Sequence, residues 1–434
     1  MRVRVGSSLG DLTESYDWAS ARALEWVQTG RAAGNLPSYW AGLTDRPMFY
    51  SRDLAHQMLG AHLLGLDAEN LAMLRHFAAS ATRARGWYPL WAFMFDGTPA
   101  AIDYHSDDDF VREVPAAFEL VEKAVEQYRW TGDEGFLCAD FLRTTMTLFV
   151  EAHDPLGIGV AGAAGTGDIF AGTATYNEAA DPPYLRVAAD GLASQWAAHR
   201  AVGALAGGPI DTDFARWNRR RAEQLEDMFA ADWWLPGERH YTSGFTADGP
   251  RAGFGLESTW FPAVKGVMRA DDRAAAHLAY LKAAVDARPP TNIEAVTYLP
   301  EAFLRYGWDA EALRWIRYLA ASRADYPEVP FTHVAHIVVG LTGLEPGPAP
   351  DAVLTRSHLP AGEWLSVDGV PIGASTVGLR HDGREATELW VTAGPGVTWT
   401  STWDGGHVTT VVVPTGSRAR ADADGGVVVL PVHR

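Results

Sequence analysis

The chain has 434 residues, enough for two domains, and its 47% hydrophobic and 21% charged residues exclude a disordered chain. Its net charge is −18, and the only lysines are the scattered Lys123, Lys265 and Lys282, so the composition argues against partners such as nucleic acid or an anionic membrane surface. Cys138 is the single cysteine, which excludes an intrachain disulfide framework and any multi-cysteine metal site.

The first residues, Met1–Ser8, do not resemble a secretory signal peptide, because no apolar segment follows the positively charged start. No run of about 18 apolar residues, the length that a membrane-spanning helix needs, occurs in the sequence. We therefore expect a cytoplasmic protein that does not bind membranes.

The region up to residue 345 is rich in Ala, Leu, Arg and Glu at helical spacing. Several of its short connections end with an Asp where a helix N-cap belongs. This pattern predicts twelve helices, which in chain order cover about 14–29, 51–65, 68–83, 109–129, 134–152, 184–206, 211–230, 257–268, 272–286, 294–306, 309–322 and 331–343.

Short and long connections alternate between these helices. The short ones are tight turns such as Gly65–Asp67 and Tyr306–Asp309, and a tight turn joins two helices as an antiparallel hairpin. Six hairpins in series can close into a double ring whose long loops all open at one end. An open helical solenoid is the alternative, but it gives no reason for long loops that carry so many of the 17 Trp and 14 Tyr residues. We expect the closed ring.

The remaining residues have a different pattern. Glu345–Asp351 is rich in Pro and cannot continue a helix, and the segments Glu388–Thr392 and Val408–Val413 show the residue types of β-strands. The sequence therefore predicts a helical domain over 1–347 and a C-terminal antiparallel β-sandwich over 348–434.

Three stretches resemble the six-hairpin glycosidases, the (α/α)6-barrel superfamily of glucoamylases, trehalases and α-L-rhamnosidases. They are Tyr50–Gln57 at the start of an inner helix, Tyr176–Glu178 before another, and Tyr326–His333 before the last. Many members of this superfamily also carry an added β-sandwich. The resemblance implies a carbohydrate-active enzyme, inverting in mechanism, that acts on an oligosaccharide or glycoside.

Glycoside hydrolysis needs two carboxyl groups, one protonated toward the leaving oxygen and one ionised to activate water. In the resembled superfamily the third long loop commonly supplies the acid and the sixth the base, which implies Glu178 as general acid and Glu328 as general base. Glu294 is the reserve base. Asp108 and Asp109 in the run 107–109 are the reserve acids, because adjacent acids can raise the pKa of one another. Each of these acids also fits a simple helix cap or dipole partner.

Sugar hydroxyls are bound by carboxylates, guanidinium groups and aromatic faces. Such side chains occur on the long loops and the inner-helix N-termini. No cofactor or metal is predicted, because His333 and His336 lack an acidic third ligand in a zinc-protease pattern. The expected substrate-binding residues are Arg52, Asp53, Trp87, Trp91, His105, Arg112, Tyr176, Asn177, Tyr241, Glu257 and Trp260.

Two other classes of function stay open at this point. A polysaccharide lyase using Tyr, His and Asn, or a sugar epimerase using His56, His333 or His336, could share the same helical ring. A non-catalytic glycan-binding protein could also do so, and it would tolerate the loss of both Glu178 and Glu328. The sequence leaves the sugar, the linkage and the oligomeric state open.

Overall fold

The computed structural model describes residues 3–176 and 184–431. Helices dominate up to Gly340. Two of the predicted Asp caps form as expected: Asp211 accepts from the Phe214 amide at 2.7 Å, and Asp271 accepts from the Arg273 amide at 2.9 Å. The helices are α1 (Gly10–Glu25), α2 (Ser51–Leu63), α3 (Asp67–Ser80), α4 (Val114–Thr131), α5 (Ala139–Thr144), α6 (Val150–Ala152), α7 (Ala189–Gly203), α8 (Thr212–Asp232), α9 (Glu257–Lys265), α10 (Asp272–Ala287), α11 (Ile293–Thr297), α12 (Leu299–Leu304), α13 (Asp309–Ser322) and α14 (Glu328–Ala335).

Six helical segments contact one another in series. Helix α2 contacts α4, α4 contacts α7, α7 contacts α9, and α9 contacts α12. Helix α12 contacts the π-helical continuation of α14 at His336–Gly340, and α14 contacts α2, so the series returns to its start. The approach of α2 to α14 depends on Gly60, because a Cβ there would lie 1.9 Å from the carbonyl oxygen of Phe331. Helices α1, α3, α8, α10 and α13 pack against these segments.

The strands lie in the long loops and in the C-terminal region. Two short ladders join loop segments directly before helices: β2 pairs with β3 before α2, and β6 pairs with β9 before α7. The strands are β1 (Arg4–Ser7), β2 (Met48–Tyr50), β3 (Ala92–Met94), β4 (Tyr104–Ser106), β5 (Asp109–Phe110), β6 (Val187–Ala188), β7 (Trp234–Leu235), β8 (His240–Tyr241), β9 (Gly244–Thr246), β10 (Gly249–Pro250), β11 (Glu345–Pro346), β12 (Ala352–Thr355), β13 (Trp364–Ile372), β14 (Ser375–Asp382), β15 (Ala386–Ala393), β16 (Val397–Thr402), β17 (Val408–Val413), β18 (Ser417–Asp422) and β19 (Val427–Pro431).

The C-terminal region contains two sheets. One has the strand order β1-β13-β14-β15-β18-β19 and is antiparallel throughout. The other has the order β11-β12-β16-β17, and its β12–β16 ladder is parallel. Strand β1 comes from the start of the chain, with Arg4 opposite Asp368. Buried side chains of both sheets, such as Leu365 and Trp399, belong to one hydrophobic core that continues into the helices.

Some predicted elements differ from the observed ones. The fourth predicted helix began at residue 109, but Tyr104–Phe110 forms a hairpin and α4 begins only at Val114, directly before Pro115. Asp67 and Asp309 are the first residues of their helices and not caps. Their carboxylates lie 2.7 Å from His62 and His358, respectively, so they contact histidine rings and do not act as caps.

Over the ranges 3–176 and 184–431, no helix has both the length and the apolar composition that are needed to cross a bilayer.

Candidate active site

A group of buried polar side chains lies where the first turns of α2, α11 and α14 meet. Arg52 and Asp53 belong to α2, Glu294 to α11, and Glu328 is the first residue of α14. Carboxylate oxygens of Asp53, Glu294 and Glu328 lie within 4.8 Å of one another. We refer to Arg52, Asp53, Glu294 and Glu328, together with Tyr326, as the central cluster. Tyr326 contacts two of the other four. All five are buried.

The guanidinium group of Arg52 supplies positive charge to this cluster. It forms an ion pair with Glu294 and lies 4.9 Å from the centre of the Tyr176 ring. Burial lowers the pKa of Arg52, but nearby acids, with Glu113 first, outweigh that effect and raise it above its ordinary value. Nε and Nη1 have no hydrogen-bond partner among the residues described. These two donors therefore remain for the oxygen atoms of a ligand.

The two carboxylate oxygens of Glu328 lie in different surroundings. Oε1 accepts a hydrogen bond from the Thr297 hydroxyl at 2.9 Å and lies 2.5 Å from His56 Nδ1. Oε2 is buried and has no hydrogen-bond partner in the part of the chain that the structure describes. Burial raises the pKa of Glu328 to about 7, against the opposing effect of His56. One oxygen is thus fixed, and the other is left to accept a proton.

The loop that leads to the predicted general acid is anchored at Tyr176. Asp190, at the start of α7, accepts from the Tyr176 amide at 2.9 Å and from the Thr175 hydroxyl at 2.7 Å. The Tyr176 hydroxyl donates to Glu119 at 2.6 Å, and Lys265 lies 2.5 Å from the other oxygen of Glu119. The ring of Tyr176 is therefore held beside Arg52. Asn177 and Glu178 follow directly in the chain and lie outside the described residues.

Several predicted residues lie at the surface, outside the central cluster. Asp108 and Asp109 are exposed at the tip of the β4–β5 hairpin. Asp109 is 2.8 Å from His105, which is exposed as well, and Arg112 donates to the Asp108 carbonyl at 2.7 Å. The β4–β5 hairpin, which belongs to the second long loop, therefore lies at the surface and outside the central cluster.

Two predicted tryptophans are half-buried in the loops. The indole N–H of Trp91 donates to Glu113 at 2.8 Å, and its ring contacts Tyr50 edge-on at 4.9 Å between centres. Trp87 has a φ of 68° and packs on the edge of a hydrophobic core. Trp91 directly precedes β3, and β3 pairs with the strand that leads into α2. Its side chain therefore lies near the start of the helix that carries Arg52.

Three other predicted residues are fully enclosed. Trp260 is 0% exposed and Tyr241 2% exposed, both within the hydrophobic core, so neither presents a face to solvent. Glu257 is the first residue of α9 and is also buried. Its carboxylate contributes to the raised pKa values of Arg52 and Asp190, which places it electrostatically with the central cluster.

The sequence interpretation did not single out four acids that take part in this network: the buried Glu113, Glu119 and Asp190 and the partly exposed Glu301. Glu119 gave a usable signal, because it stands among apolar residues in the middle of α4, where a charge needs a partner. Its partner Lys265 is one of three lysines in the chain. Asp190 and Glu113 had no such signal in the sequence, since an acid at a helix start is commonly a cap.

Two sets of three side chains bring metal-binding atom types together. One is Asp53, Glu294 and Glu328, where the Arg52 guanidinium already provides the positive charge. The other is His56, Glu301 and His336. Both ring nitrogens of His56 face carboxylates at hydrogen-bonding distance, so its donors and acceptors are taken up within the protein.

Comparison with solved structures identifies the fold. The chain is similar to a GH78 family rhamnosidase of Bacillus sp. GL1, with a TM-score of 0.65 and 14% identity over 92% of this chain and 43% of that one. It is similar to an α-L-rhamnosidase from Aspergillus terreus, with a TM-score of 0.62 and 14% identity over 100% of this chain and 50% of that one. The chain has a six-hairpin glycosidase-like fold. A third structure with this likeness is an α-L-rhamnosidase from Dictyoglumus thermophilum, with a TM-score of 0.59 and 12% identity over 92% of this chain and 45% of that one.

The chain spans about half the length of these solved structures. No protein-family model and no curated protein matches its sequence. The likeness at such low identity establishes the fold alone.

Proposed function

We propose that the protein is a glycoside hydrolase that cleaves a glycosidic bond by an inverting mechanism, with Glu328 as general base and Glu178 as general acid. In this proposal the helices of 1–347 form an (α/α)6 barrel, and the active site is a pit at one end of it. Residues 348–434 form a β-sandwich with a structural role. The packing series from α2 round to α14 and the rhamnosidase-like fold support this architecture.

The observation that carries the proposal is the asymmetry of Glu328. Its Oε1 is held by Thr297 and His56, whereas Oε2 has no partner in the described ranges. A general base needs one free oxygen, held in a fixed direction, that can accept the proton of a water molecule. Helix α14 provides the fixed direction, because Glu328 is its first residue and is 0% exposed.

The reaction follows from these positions. The carboxylate of Glu328 takes a proton from water, and the water oxygen bonds to the anomeric carbon of the sugar. The bond from that carbon to the leaving oxygen breaks, and the proton of Glu178 goes to that oxygen. Attack from the face opposite the leaving group inverts the configuration of the anomeric carbon.

Arg52 and Asp53 are proposed to bind the hydroxyl groups of the sugar beside Glu328. The free Nε and Nη1 donors of Arg52 suit two neighbouring hydroxyl oxygens, and Asp53 suits hydroxyl protons. Trp91 and Trp87 are proposed to stack on a sugar ring in the adjoining loops.

The test is an activity screen of the wild-type chain on aryl glycosides that include an α-L-rhamnoside and uronides. Proton NMR of the first product formed distinguishes inversion from retention. We expect hydrolysis with an inverted product anomer and loss of activity in Glu328→Gln. An ultraviolet-absorbing unsaturated product would instead identify a lyase. Binding without turnover, unchanged in Glu328→Gln, would identify a glycan-binding protein.

A further inference from the structure

A chain of polar side chains leads away from Oε1 of Glu328; its two histidines are buried, and Glu301 is partly exposed. His56 is its centre: it lies on α2 and places Nδ1 2.5 Å from Glu328 Oε1 and Nε2 2.8 Å from Glu301 Oε1. His336 follows, with Nε2 3.4 Å from the same Glu301 oxygen. The chain thus runs from α14 through α2 to α12 and back to the end of α14.

Contacts on one face of the His56 ring and at both of its nitrogens fix the orientation of the ring. Its face stacks on Tyr298, with ring centres 3.8 Å apart and an angle of 9° between the planes. Each of its nitrogens faces a carboxylate oxygen, and the ring is buried. An imidazole can donate from both nitrogens only when it is protonated. Two carboxylate partners therefore favour the imidazolium form.

We propose that His56 is a positioning residue for Glu328: as an imidazolium held between Glu301 and Glu328, it fixes Oε1 and keeps this carboxylate ionised, so that Oε2 can act as the base. The catalytic part of this inference rests on the proposed role of Glu328. His56 itself does not touch the reacting atoms. Glu301 acts on Glu328 only through His56, because it contacts the second nitrogen of the His56 ring.

The groups that face His56 come from three neighbouring helices. His56 faces Glu328 on α14, Glu301 on α12, and the uncharged Tyr298 and Thr297 at the end of α11. Burial lowers the pKa of His56, but Glu301 and Glu328 outweigh it and raise the pKa to about 9.

Glu328 has further charged neighbours. Asp53 raises its pKa and Arg52 lowers it. The hydrogen bond from His56 is the largest effect that opposes burial at this carboxyl and the charge of His56 is the next, so removing that charge removes part of the opposition. The pKa of Glu328 must then move upward.

The first test compares the pH dependence of kcat/KM for wild type and His56→Gln. Glutamine keeps a side-chain hydrogen bond to Glu328 but carries no charge. Loss of a neighbouring opposite charge shifts a carboxyl pKa by about 1–3 units, so the acidic limb should move upward by about one unit or more. On the acidic side activity should therefore fall about tenfold or more, while above the shifted limb, on a substrate with an activated leaving group that needs no general acid, it should stay close to wild type. A loss that is equal at all pH values would indicate a merely structural role and overturn the inference.

The matched control is His62→Gln. His62 lies on the same helix, is buried, and also has a carboxylate partner, Asp67, 2.7 Å from Nδ1. It is not in the chain behind Glu328, so its variant should keep the wild-type pH profile. A limb shift in His62→Gln equal to that in His56→Gln would show that loss of any buried histidine of α2 produces the effect, and would overturn the inference.

A second measurement does not depend on activity. Nitrogen-15 NMR of the histidine rings should show His56 protonated on both nitrogens at neutral pH and above in the wild type. In Glu301→Gln the same signal should lose its second proton at lower pH. A neutral His56 ring at about pH 7, near the ordinary histidine pKa, would overturn the inference even if His56→Gln does not fold.

These outcomes separate this inference from the proposed function. If Glu328→Gln keeps full activity, the proposed base is wrong, whatever His56 does. If Glu328→Gln is inactive but His56→Gln has the wild-type pH profile, the proposed function stands and the positioning role of His56 is wrong.

Discussion

The hydroxyl of Tyr326 lies 2.8 Å from Asp53 Oδ1, which ties the loop before α14 to the first turn of α2. The same hydroxyl lies 2.9 Å from Glu294 Oε2 on α11. A phenol has a single proton, so it donates fully to only one of these carboxylates at a time. Arg52 provides the compensating charge through its ion pair with Glu294. The central cluster is therefore a set of mutually dependent charges, and removing one member has consequences for the others.

Loss of the Arg52 guanidinium should destabilise the fold strongly. Arg52→Met leaves the Glu294 carboxylate buried without its partner, which typically costs about 3–5 kcal/mol. The double variant Arg52→Met/Glu294→Gln should be less destabilised than the sum of the single variants, because no unpaired charge is left. Urea unfolding of the four proteins measures these differences.

The control for that experiment is Arg317→Met. Arg317 lies 2.7 Å from Asp11, but the two side chains are 45% and 52% exposed. An exposed pair contributes about 1 kcal/mol or less. Equal small effects of Arg52→Met and Arg317→Met would contradict a tightly coupled central cluster.

The stability of the protein should depend on pH through Asp190. Burial raises the pKa of Asp190 to about 8 from an ordinary value of 3.8, against the Thr175 hydroxyl and the Tyr176 amide that lower it. Between these two values the folded state holds a proton that the unfolded state releases. Stability therefore falls as pH rises through this window, by at most about 1.4 kcal/mol per unit.

Asp190→Asn has no proton to lose, and its amide oxygen can still accept from Thr175 and Tyr176. Relative to wild type, the variant should become progressively more stable as pH rises through the window. Free energies of unfolding at several pH values measure this difference. Parallel pH profiles of the two proteins would show that Asp190 is ionised in the native state.

The order of the helices could be predicted from the sequence because it depends on local signals. Asp211 and Asp271 cap α8 and α10 as their positions predict, and α13 covers 309–322 as predicted. Glu294 also fitted a simple helix cap, but Asn292 is the N-cap and the Glu294 carboxylate faces Arg52 instead. A contact with a residue 242 positions away leaves no trace in the local pattern.

The same limit applies to the chemistry of the site. Arg52 and Asp53, within the stretch Tyr50–Gln57, were expected to bind substrate; the structure places both beside Glu294 and Glu328, and their role stays a prediction. The role of Glu301 was not predictable, because its neighbours in the sequence are ordinary helix residues. Only the packing of α12 against the other helices brings it to His56.

Trp91 should contribute to substrate binding and not to the chemical step. Replacing Trp91 by Ala removes a stacking face worth about 1 kcal/mol, which corresponds to about a fivefold loss of affinity. Trp87→Ala should have a similar effect. Steady-state kinetics should show a higher KM with nearly unchanged kcat.

The matched control is Trp390→Ala. Trp390 is also half-buried, and its indole N–H donates to a carboxylate, that of Asp368, at 2.9 Å. It lies on β15 of the C-terminal sheet and should leave KM unchanged. An unchanged KM in both Trp91→Ala and Trp87→Ala would assign these rings to packing.

The distance between the two proposed catalytic carboxyl groups is a direct structural prediction. In a crystal structure with bound product, the Glu178 and Glu328 carboxyl groups should lie about 6.5–9.5 Å apart, with the sugar between them. A separation of more than about 12 Å in a closed conformation would not fit this distance rule. Glu294 and the pair Asp108 and Asp109 would then be the next residues to substitute.

The central claim, that Glu328 and Glu178 are the base and the acid of a glycoside hydrolase, is tested most directly by kcat on two substrates that differ only in leaving group. General acid–base catalysis is typically worth about 10²–10⁴ in rate. Glu328→Gln should lose at least about a hundredfold in kcat on both substrates. Glu178→Gln should lose as much with a poor leaving group but much less with an activated one that needs no protonation. Asp272→Asn, at the exposed start of α10, should match wild type on both. Wild-type kcat in Glu328→Gln would contradict the account.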